Sequence, residues 1–291
     1  MTEQELAVVR RAFAKQILAA VRVSNQPLEA AFAAVRREDY LGPGPWQIFR
    51  WGAAYMTTPS ADSVYLYTND LVAIDAEKQL NNGQPSLHAH LLNQAQPAAG
   101  EHVVHIGTGS GYYTAIMAHM VGEGGRVTGI EFEPEIAAKA RANLTAPNIE
   151  IIEGDGNAVP FDPADVIYVN AGATRPANHW LDRLNDGGRM VLPLTTNMAF
   201  GEQALKQTPQ EIARQGAVLR IERHGDEFHA KWISAVAIFP CAGARDEAEE
   251  RALAEALANG RLKDVTRLYR QTHLPPEQIW LSGRDWCLAY A

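Results

Sequence analysis

The sequence predicts an α/β fold on a mostly parallel, doubly wound sheet. Two observations carry that prediction. From about residue 97 onward, short apolar runs alternate with segments of helical periodicity, and strands reached through helices lie parallel with both faces covered. The first of these strands, Val103 to Ile106, runs straight into Gly107, Gly109 and Gly111 and then into a helical segment at 114–121. Glycine at alternate positions belongs where backbone turns sharply or sits against a ligand. The 291 residues, 46% of them hydrophobic, suffice for one large domain or one domain with additions.

Element by element, residues 5–23 carry apolar side chains at helical spacing, and 27–37 repeat the pattern after the break Ser24-Asn25-Gln26-Pro27. The Gly/Pro/aromatic stretch 41–59 has a composition that holds no regular element and reads as a structured loop. Strands are predicted over 103–106, 126–131, 149–153, 164–169 and 189–193. Helices are predicted from 113, over 134–144 and over 177–184. Two further runs, 217–223 and 231–239, flank the turn His224-Gly225-Asp226 and predict antiparallel additions at the sheet edge. From Arg245 the tail is charged and helical. It ends around Trp280 and Trp286 in an added edge strand, a dimer surface or plain core packing. The expected division is a cap over 1–96, a core over 97–241 and a C-terminal extension over 242–291.

A net charge of −8 with interspersed signs argues against a nucleic-acid-binding surface. Cys241 and Cys287 give neither a disulfide framework nor metal-ligand spacing, so no metal is expected. The first residues lack a basic region followed by an apolar run, and no apolar stretch reaches the ~18 residues that span a bilayer. A cytoplasmic, non-membrane protein is expected.

A strand, a glycine turn and a helix N-terminus make a nucleotide-sized pocket at the carboxyl edge of a Rossmann-like sheet. Glu131 closes the second strand, where a carboxylate can accept from both ribose hydroxyls; the alternative is a solvated strand-end acid. Asp155, in Gly154-Asp155-Gly156 after the third strand, suits an exocyclic amine such as adenine N6, although Gly-Asp-Gly is also a common turn. His105, inside the first strand, is either a core histidine or a ligand contact. In the latter case its neutral form suits a cationic ligand. A dinucleotide fingerprint G-x-G-x-x-G would need glycine at 112, and that residue is Tyr112. NAD chemistry therefore rests on Glu131 and the strand-loop-helix pattern alone. The G-x-G-x-G pattern present resembles motif I of the S-adenosylmethionine (SAM) dependent methyltransferases.

The stretches Ala164 to Ala173 and Leu181 to Pro193 (LDRLNDGGRMVLP), with Arg36-Arg37-Glu38-Asp39-Tyr40-Leu41 upstream and Ile238-Phe239-Pro240 downstream, resemble the protein-L-isoaspartate O-methyltransferase family, from about Pro27 to Cys241. The resemblance implies a class I methyltransferase domain that uses SAM and releases S-adenosylhomocysteine (SAH). It implies a cofactor set of Asn81, Asn82, Gly83, His88, His105, Ile106, Gly107, Thr108, Gly109, Ser110, Gly111, Glu131, Phe132, Asp155, Gly156 and Asn170. In that family a loop before motif I reads roughly threonine, isoleucine, serine, any residue, proline, and its serine lies close to the methyl group and the substrate carboxylate. Here Asn81 takes the threonine place, Gly83 the serine place and Pro85 the proline place, while His88 matches a cofactor-contacting position. Asn82, Gln84 and Ser86 are the substrate candidates, and no catalytic residue is assigned.

Methyl transfer from a sulfonium is an in-line displacement, so the protein mainly aligns the groups and excludes water. A carboxylate needs no general base, whereas an alcohol must lose a proton to one. No acid or histidine is placed for that duty apart from His88 and His105, both better assigned to the cofactor, although loops can bring in residues such as His179 or Asp62. The reading is therefore O-methylation of a carboxylate in a peptide, a protein or a small-molecule acid, with an acceptor changed from that of the isoaspartyl repair enzymes. A homodimer is possible. The competing class is a SAM-binding sensor or scaffold without turnover.

Overall fold

A computed structural model describes residues 1–50, 55–197, 208, 211, 214–241, 243–271 and 274–290. In chain order the first elements are α1 (Glu3–Ala20), α2 (Gln26–Ala34), β1 (Gln47–Phe49), β2 (Met56–Thr57), β3 (Leu71–Asp75), β4 (Leu80–Asn81) and α3 (Pro85–Ala95). Next come β5 (His102–Ile106), α4 (Tyr112–Val121), β6 (Arg126–Glu131), α5 (Pro134–Asn143), β7 (Ile149–Glu153), β8 (Ala164–Val169), α6 (Asn178–Arg183) and β9 (Leu184–Thr195). The chain closes with β10 (Gly216–His224), β11 (Glu227–Ala235), α7 (Glu247–Asn259), β12 (Arg267–Arg270), β13 (Ile279–Ser282) and β14 (Trp286–Ala289). Two compact units result: Met1–Glu101 with Thr108–Glu153, and His102–Gly107 with Gly154–Ala291.

In the first unit the helices begin as the sequence dictates. Thr2 and Glu5 form a reciprocal capping box on α1, and Asn25 accepts from Leu28 N–H ahead of Pro27 on α2. The stretch 41–59, expected to be loop throughout, instead contributes β1 and β2 to an antiparallel sheet of order β2-β1-β3-β4. Its pairing is long-range: Ile48 lies opposite Val72, and Trp46, Ile48, Leu66 and Val72 form a buried cluster. Positions 51–54 of that stretch lie outside the described residues. Parallel strands β6 and β7 run in register from Val127↔Ile149 to Glu131↔Glu153. Helices α4 and α5 meet beside them through Ala115, Ala140 and Leu144.

A fully buried Arg37 ties this unit together. Its guanidinium donates to the carbonyls of Leu66, Thr68 and Asp70 at 2.5, 3.2 and 3.1 Å. It also lies 5.8 Å from the centroid of the Tyr112 ring. Its own N–H donates to the Tyr67 hydroxyl at 3.2 Å, and that hydroxyl donates to Glu38.

The second unit holds strands in the order β13-β14-β12-β11-β10-β9-β8-β5. Strands β5, β8 and β9 are parallel, and the rest extend them antiparallel. Strand β9 begins five residues earlier than expected, because the Gly187-Gly188 turn is absorbed within it. The hairpin at Gly225-Asp226 forms as predicted, with His224 opposite Glu227, so β11 starts directly after the turn rather than at 231. Trp280 and Trp286 are buried on added edge strands. No helix among the described residues is long and apolar enough to cross a membrane.

Within β5, His105 is fully buried and meets the Tyr168 ring edge-on, with centroids 5.5 Å apart. Burial pushes its pKa down from 6.5 to about 3, so it is neutral in the fold.

Two outcomes follow for stability. Arg37→Met strands three carbonyls and should cost at least about 3 kcal/mol in urea unfolding, since bonds from a charged donor contribute ~1.5–3 kcal/mol each. Arg36→Met, on an exposed side chain, should leave the midpoint nearly unchanged. For His105 the unfolded chain binds the extra proton below pH 6.5, so its contribution is complete above that pH and is lost as pH falls toward 3. Between pH 7.5 and pH 5 the loss should be about 1–2 kcal/mol. His105→Phe should flatten that part of the pH profile measured by urea titration.

Candidate functional site

In the first unit the site begins at the end of β6. The Glu131 side chain is buried, and its two oxygens are both used: Oε2 accepts from Gly109 N–H at 2.7 Å and Oε1 from Glu133 N–H at 3.1 Å. Burial raises its pKa, partly offset by backbone donors at Glu133, Gly109 and Phe132. The carboxylate therefore anchors the glycine loop and still has lone pairs for hydroxyl donors. Thr108 N–H donates to Ile130 C=O at 3.2 Å, and Ser110 C=O accepts from Asn143 Nδ2 at 3.0 Å. Gly111 caps α4 at φ +103°, and a Cβ there would lie 2.7 Å from Leu144 Cδ1, so only glycine fits. Beside Glu131, the Phe132 ring is 52% exposed, unusual for so large an apolar group and suited to a flat ligand face.

The segment before α3 belongs to the same unit. Asn81 is spent on structure: Oδ1 accepts from Tyr55 OH at 2.7 Å, and Nδ2 donates to Gln79 C=O at 2.8 Å. Asn82 N–H donates to Val72 C=O at 2.8 Å. Gly83 is left-handed at φ +71°, and its carbonyl accepts from Tyr113 OH at 3.4 Å. A Cβ built on it would sit 2.8 Å from His88 Cδ2 and closer still to Nε2. His88 is buried and stacks on Tyr113 with centroids 3.5 Å apart and planes at 13°. After Gln84 the chain becomes helical, because Pro85 at the first position of α3 has its φ preset and no N–H to satisfy. Ser86 and His88 are thus helical residues, and Ser86 N–H is taken by Asn69 Oδ1 at 2.9 Å.

In the second unit Asn170 closes on the β5 end. Its N–H donates to Ile106 C=O at 2.7 Å and its Nδ2 to Gly107 C=O at 3.2 Å. Asp155 Oδ1 accepts from Asn157 N–H at 2.8 Å, and Gly156 C=O accepts from Trp180 Nε1 at 2.8 Å. Residues 238–240, of which 238 and 239 close the strand expected over 231–239, instead open a strap along the loop after β8. Gly172 N–H donates to Phe239 C=O at 2.7 Å, Cys241 N–H to Gly172 C=O at 2.9 Å, and Thr174 N–H to Ala244 C=O at 3.0 Å. The proline and the one-sided pairing to a loop keep this segment from extending as a strand. A Cβ on Gly243 would lie 2.5 Å from Asp155 Cγ, so the strap rests on that carboxylate.

Of the two candidate bases, Asp62 Oδ1 accepts from Val64 N–H to cap its own turn, while His179 Nε2 is buried without a hydrogen-bond partner among the described residues and desolvation lowers the ring's pKa, which favours its neutral form. Tyr113, Asn69 and Gly243 are the site neighbours that the sequence alone does not reveal. Each is defined by a contact to a distant segment, and none carries a local motif.

Comparison with known proteins follows this geometry. The model of the family Protein-L-isoaspartate(D-aspartate) O-methyltransferase (PCMT) matches residues 16–222. The protein-L-isoaspartate O-methyltransferase of Thermotoga maritima is 32% identical over 182 residues, covering 60% of this chain and 52% of that protein. That of Ignicoccus hospitalis is 40% identical over 115 residues, covering 38% and 54%. The chain thus spans about half the length of these two curated relatives. A solved protein-L-isoaspartate O-methyltransferase superposes with a TM-score of 0.63 at 22% identity, covering 96% of this chain and 87% of its own. A Plasmodium falciparum structure described as of this type, in complex with SAH, gives a TM-score of 0.60 at 16% identity, covering 80% and 97%. These likenesses show the shared class I methyltransferase fold. With the match running over 16–222, the chain belongs to the protein-L-isoaspartate(D-aspartate) O-methyltransferase family.

Proposed function

We propose that this chain is a SAM-dependent O-methyltransferase that esterifies a carboxylate, in a peptide or protein, other than the isoaspartyl group of the repair enzymes. The observation that carries the reading is the buried Glu131 carboxylate fastened to Gly109 of the glycine loop, in a chain of this family. Glu131 takes the ribose hydroxyls, Phe132 the adenine face, and Asp155 with Gly156 the adenine edge. In the first unit the backbone from Thr108 through Gly111, with Asn81, Gly83 and His88, serves the amino-acid part; in the second unit the candidates for it are His105, Ile106, Gly107 and Asn170. When bound, SAM supplies a methyl group activated as a sulfonium: the acceptor oxygen gains the C–O bond as the C–S bond breaks, sulfur keeps that electron pair, and SAH and a methyl ester result. The chain's task is alignment and exclusion of water, because the acceptor carboxylate is already anionic at neutral pH.

The test is transfer of labelled methyl from SAM to a panel of aspartyl and isoaspartyl peptides, with SAH affinity measured by calorimetry. Base-labile label released as methanol is expected on a carboxylate acceptor. Glu131→Ala should weaken SAH binding about 10- to 100-fold, the value of one or two hydrogen bonds to a charged group. SAH binding with no transfer to any acceptor would favour a sensor or scaffold, and absence of SAH binding would sink the reading.

Gly83 stands in the place of the family's serine, yet the left-handed backbone and the His88 ring leave no room for a side chain there. Gly83→Ser is therefore expected to cost about 1–3 kcal/mol of stability. It should bring no gain of isoaspartyl transfer in the labelled assay. A stable variant that gains this activity would show that the position lacks only a hydroxyl.

A further inference from the structure

A small cavity in the second unit, of about 270 Å³, belongs to no part of the site described above. It is lined by Asp182 of α6, by Arg223, Asp226 and Phe228 of the β10–β11 hairpin, and by Arg270 and Gln271 at the end of β12. Strand register fixes its place. Gly216 pairs with Thr195 and Glu222 with Arg189, and Arg189 pairs in turn with Val166 of β8. The cavity therefore lies at the end of the sheet where β8 and β9 begin, whereas Asn170 follows the far end of β8.

The lining is built around one guanidinium. Two carbonyls hold Arg223, with Nε donating to Gly225 at 2.9 Å and Nη1 to Leu184 at 2.8 Å. Its Cζ lies 5.9 Å from the centroid of the Phe228 ring, which is 6% exposed. These contacts fix the plane of the group and leave Nη2 without a hydrogen-bond partner among the described residues. The second arginine is already matched, since Arg270 Nη1 donates to Asp182 at 2.6 Å. Asp226 is not. It shares the hairpin with Arg223, yet its carboxylate has neither ion pair nor hydrogen bond among the described residues. A fixed cation, an unmatched anion and an apolar ring thus border one space.

We propose that this cavity binds a free α-amino acid with an apolar side chain. Two arginines and two aspartates leave the lining without net charge. A lone anion would meet both aspartates there, and a lone cation both guanidiniums. A zwitterion serves both signs. Its carboxylate takes the open edge of Arg223, a charge-assisted bond to a pre-organised donor, and its ammonium group takes Asp226. Its side chain covers Phe228. Gln271, left-handed at φ +50°, adds a carboxamide that can donate or accept. Size sets the class as well: drug-sized ligands need upward of ~300 Å³, so the occupant is small. The site is separate from methyl transfer and rests on none of that reading. It binds only, and no bond is made or broken in it.

The experiment titrates L-phenylalanine into the full chain and follows the backbone amide shifts of Gly225, Asp226 and Phe228 by NMR. Wild type is expected to bind with a dissociation constant of about 1 mM or tighter. N-acetyl-L-phenylalanine, which lacks the ammonium group, and L-phenylalanine methyl ester, which lacks the carboxylate, should each bind about 10-fold more weakly or worse. Asp226→Asn, in an exposed turn, should keep the thermal midpoint and lose a similar factor for the free amino acid while leaving the weak binding of the N-acetyl form unchanged. The proposal is overturned if L-phenylalanine moves none of the three amides, or if the shifts centre on Asn170 instead of the hairpin. It is equally overturned if the N-acetyl form binds as well as the free amino acid, which would mark a plain anion site, or if Asp226→Asn binds as wild type does.

Discussion

Everything in the first unit hangs on a cation that never meets water. Arg37 offers a fan of N–H donors to the carbonyls of Leu66, Thr68 and Asp70, and it lies against Tyr112. A guanidinium is weakly hydrated and planar, so it can be buried at tolerable cost when carbonyls converge on it. The turn it gathers contains Asn69, whose side chain receives the first free N–H of α3. A line of contacts thus runs from the end of α2 through one arginine to the helix that carries Ser86 and His88. The segment between β4 and α3 takes its position from that line.

The second organising principle is the deliberate absence of side chains. At Gly111 the missing Cβ lets Leu144 reach the N-terminus of α4, and at Gly243 it lets the strap lie on Asp155. In each case a neighbour has moved into the vacated space. These glycines are therefore packing elements as much as hinges, and the loop around Glu131 is held by close contacts and charge-assisted hydrogen bonds together.

The core of the fold was legible because its signals are local. An apolar run, a glycine turn and a helical period each fit inside a dozen residues, and Glu131 and Asp155 sit at strand ends that the same pattern defines. The small sheet of the cap was not legible. Its strands are two to five residues long, and Ile48 is extended because Val72 pairs with it, which no window around Ile48 contains. Arg37 shows the same limit for a side chain. In Arg36-Arg37-Glu38-Asp39-Tyr40-Leu41 nothing local tells the two arginines apart, yet Arg36 makes surface ion pairs with Glu3, Glu38 and Asp39 while Arg37 is the buried clasp. The segment 82–88 was recognised as special by its place before motif I. Its geometry, a helix start packed on Tyr113, depends on contacts that a linear pattern does not encode.

The packing of His88 into the space beside Gly83 also has a historical consequence. Two positions that share one volume cannot drift independently, because a side chain at 83 is tolerated only after 88 has become small. A lineage that has reached this arrangement can return to a side-chain-bearing loop only through an intermediate that has lost the imidazole and not yet gained its replacement. The pair therefore acts as a ratchet, holding descendants of this chain to a glycine loop even under selection for a different acceptor.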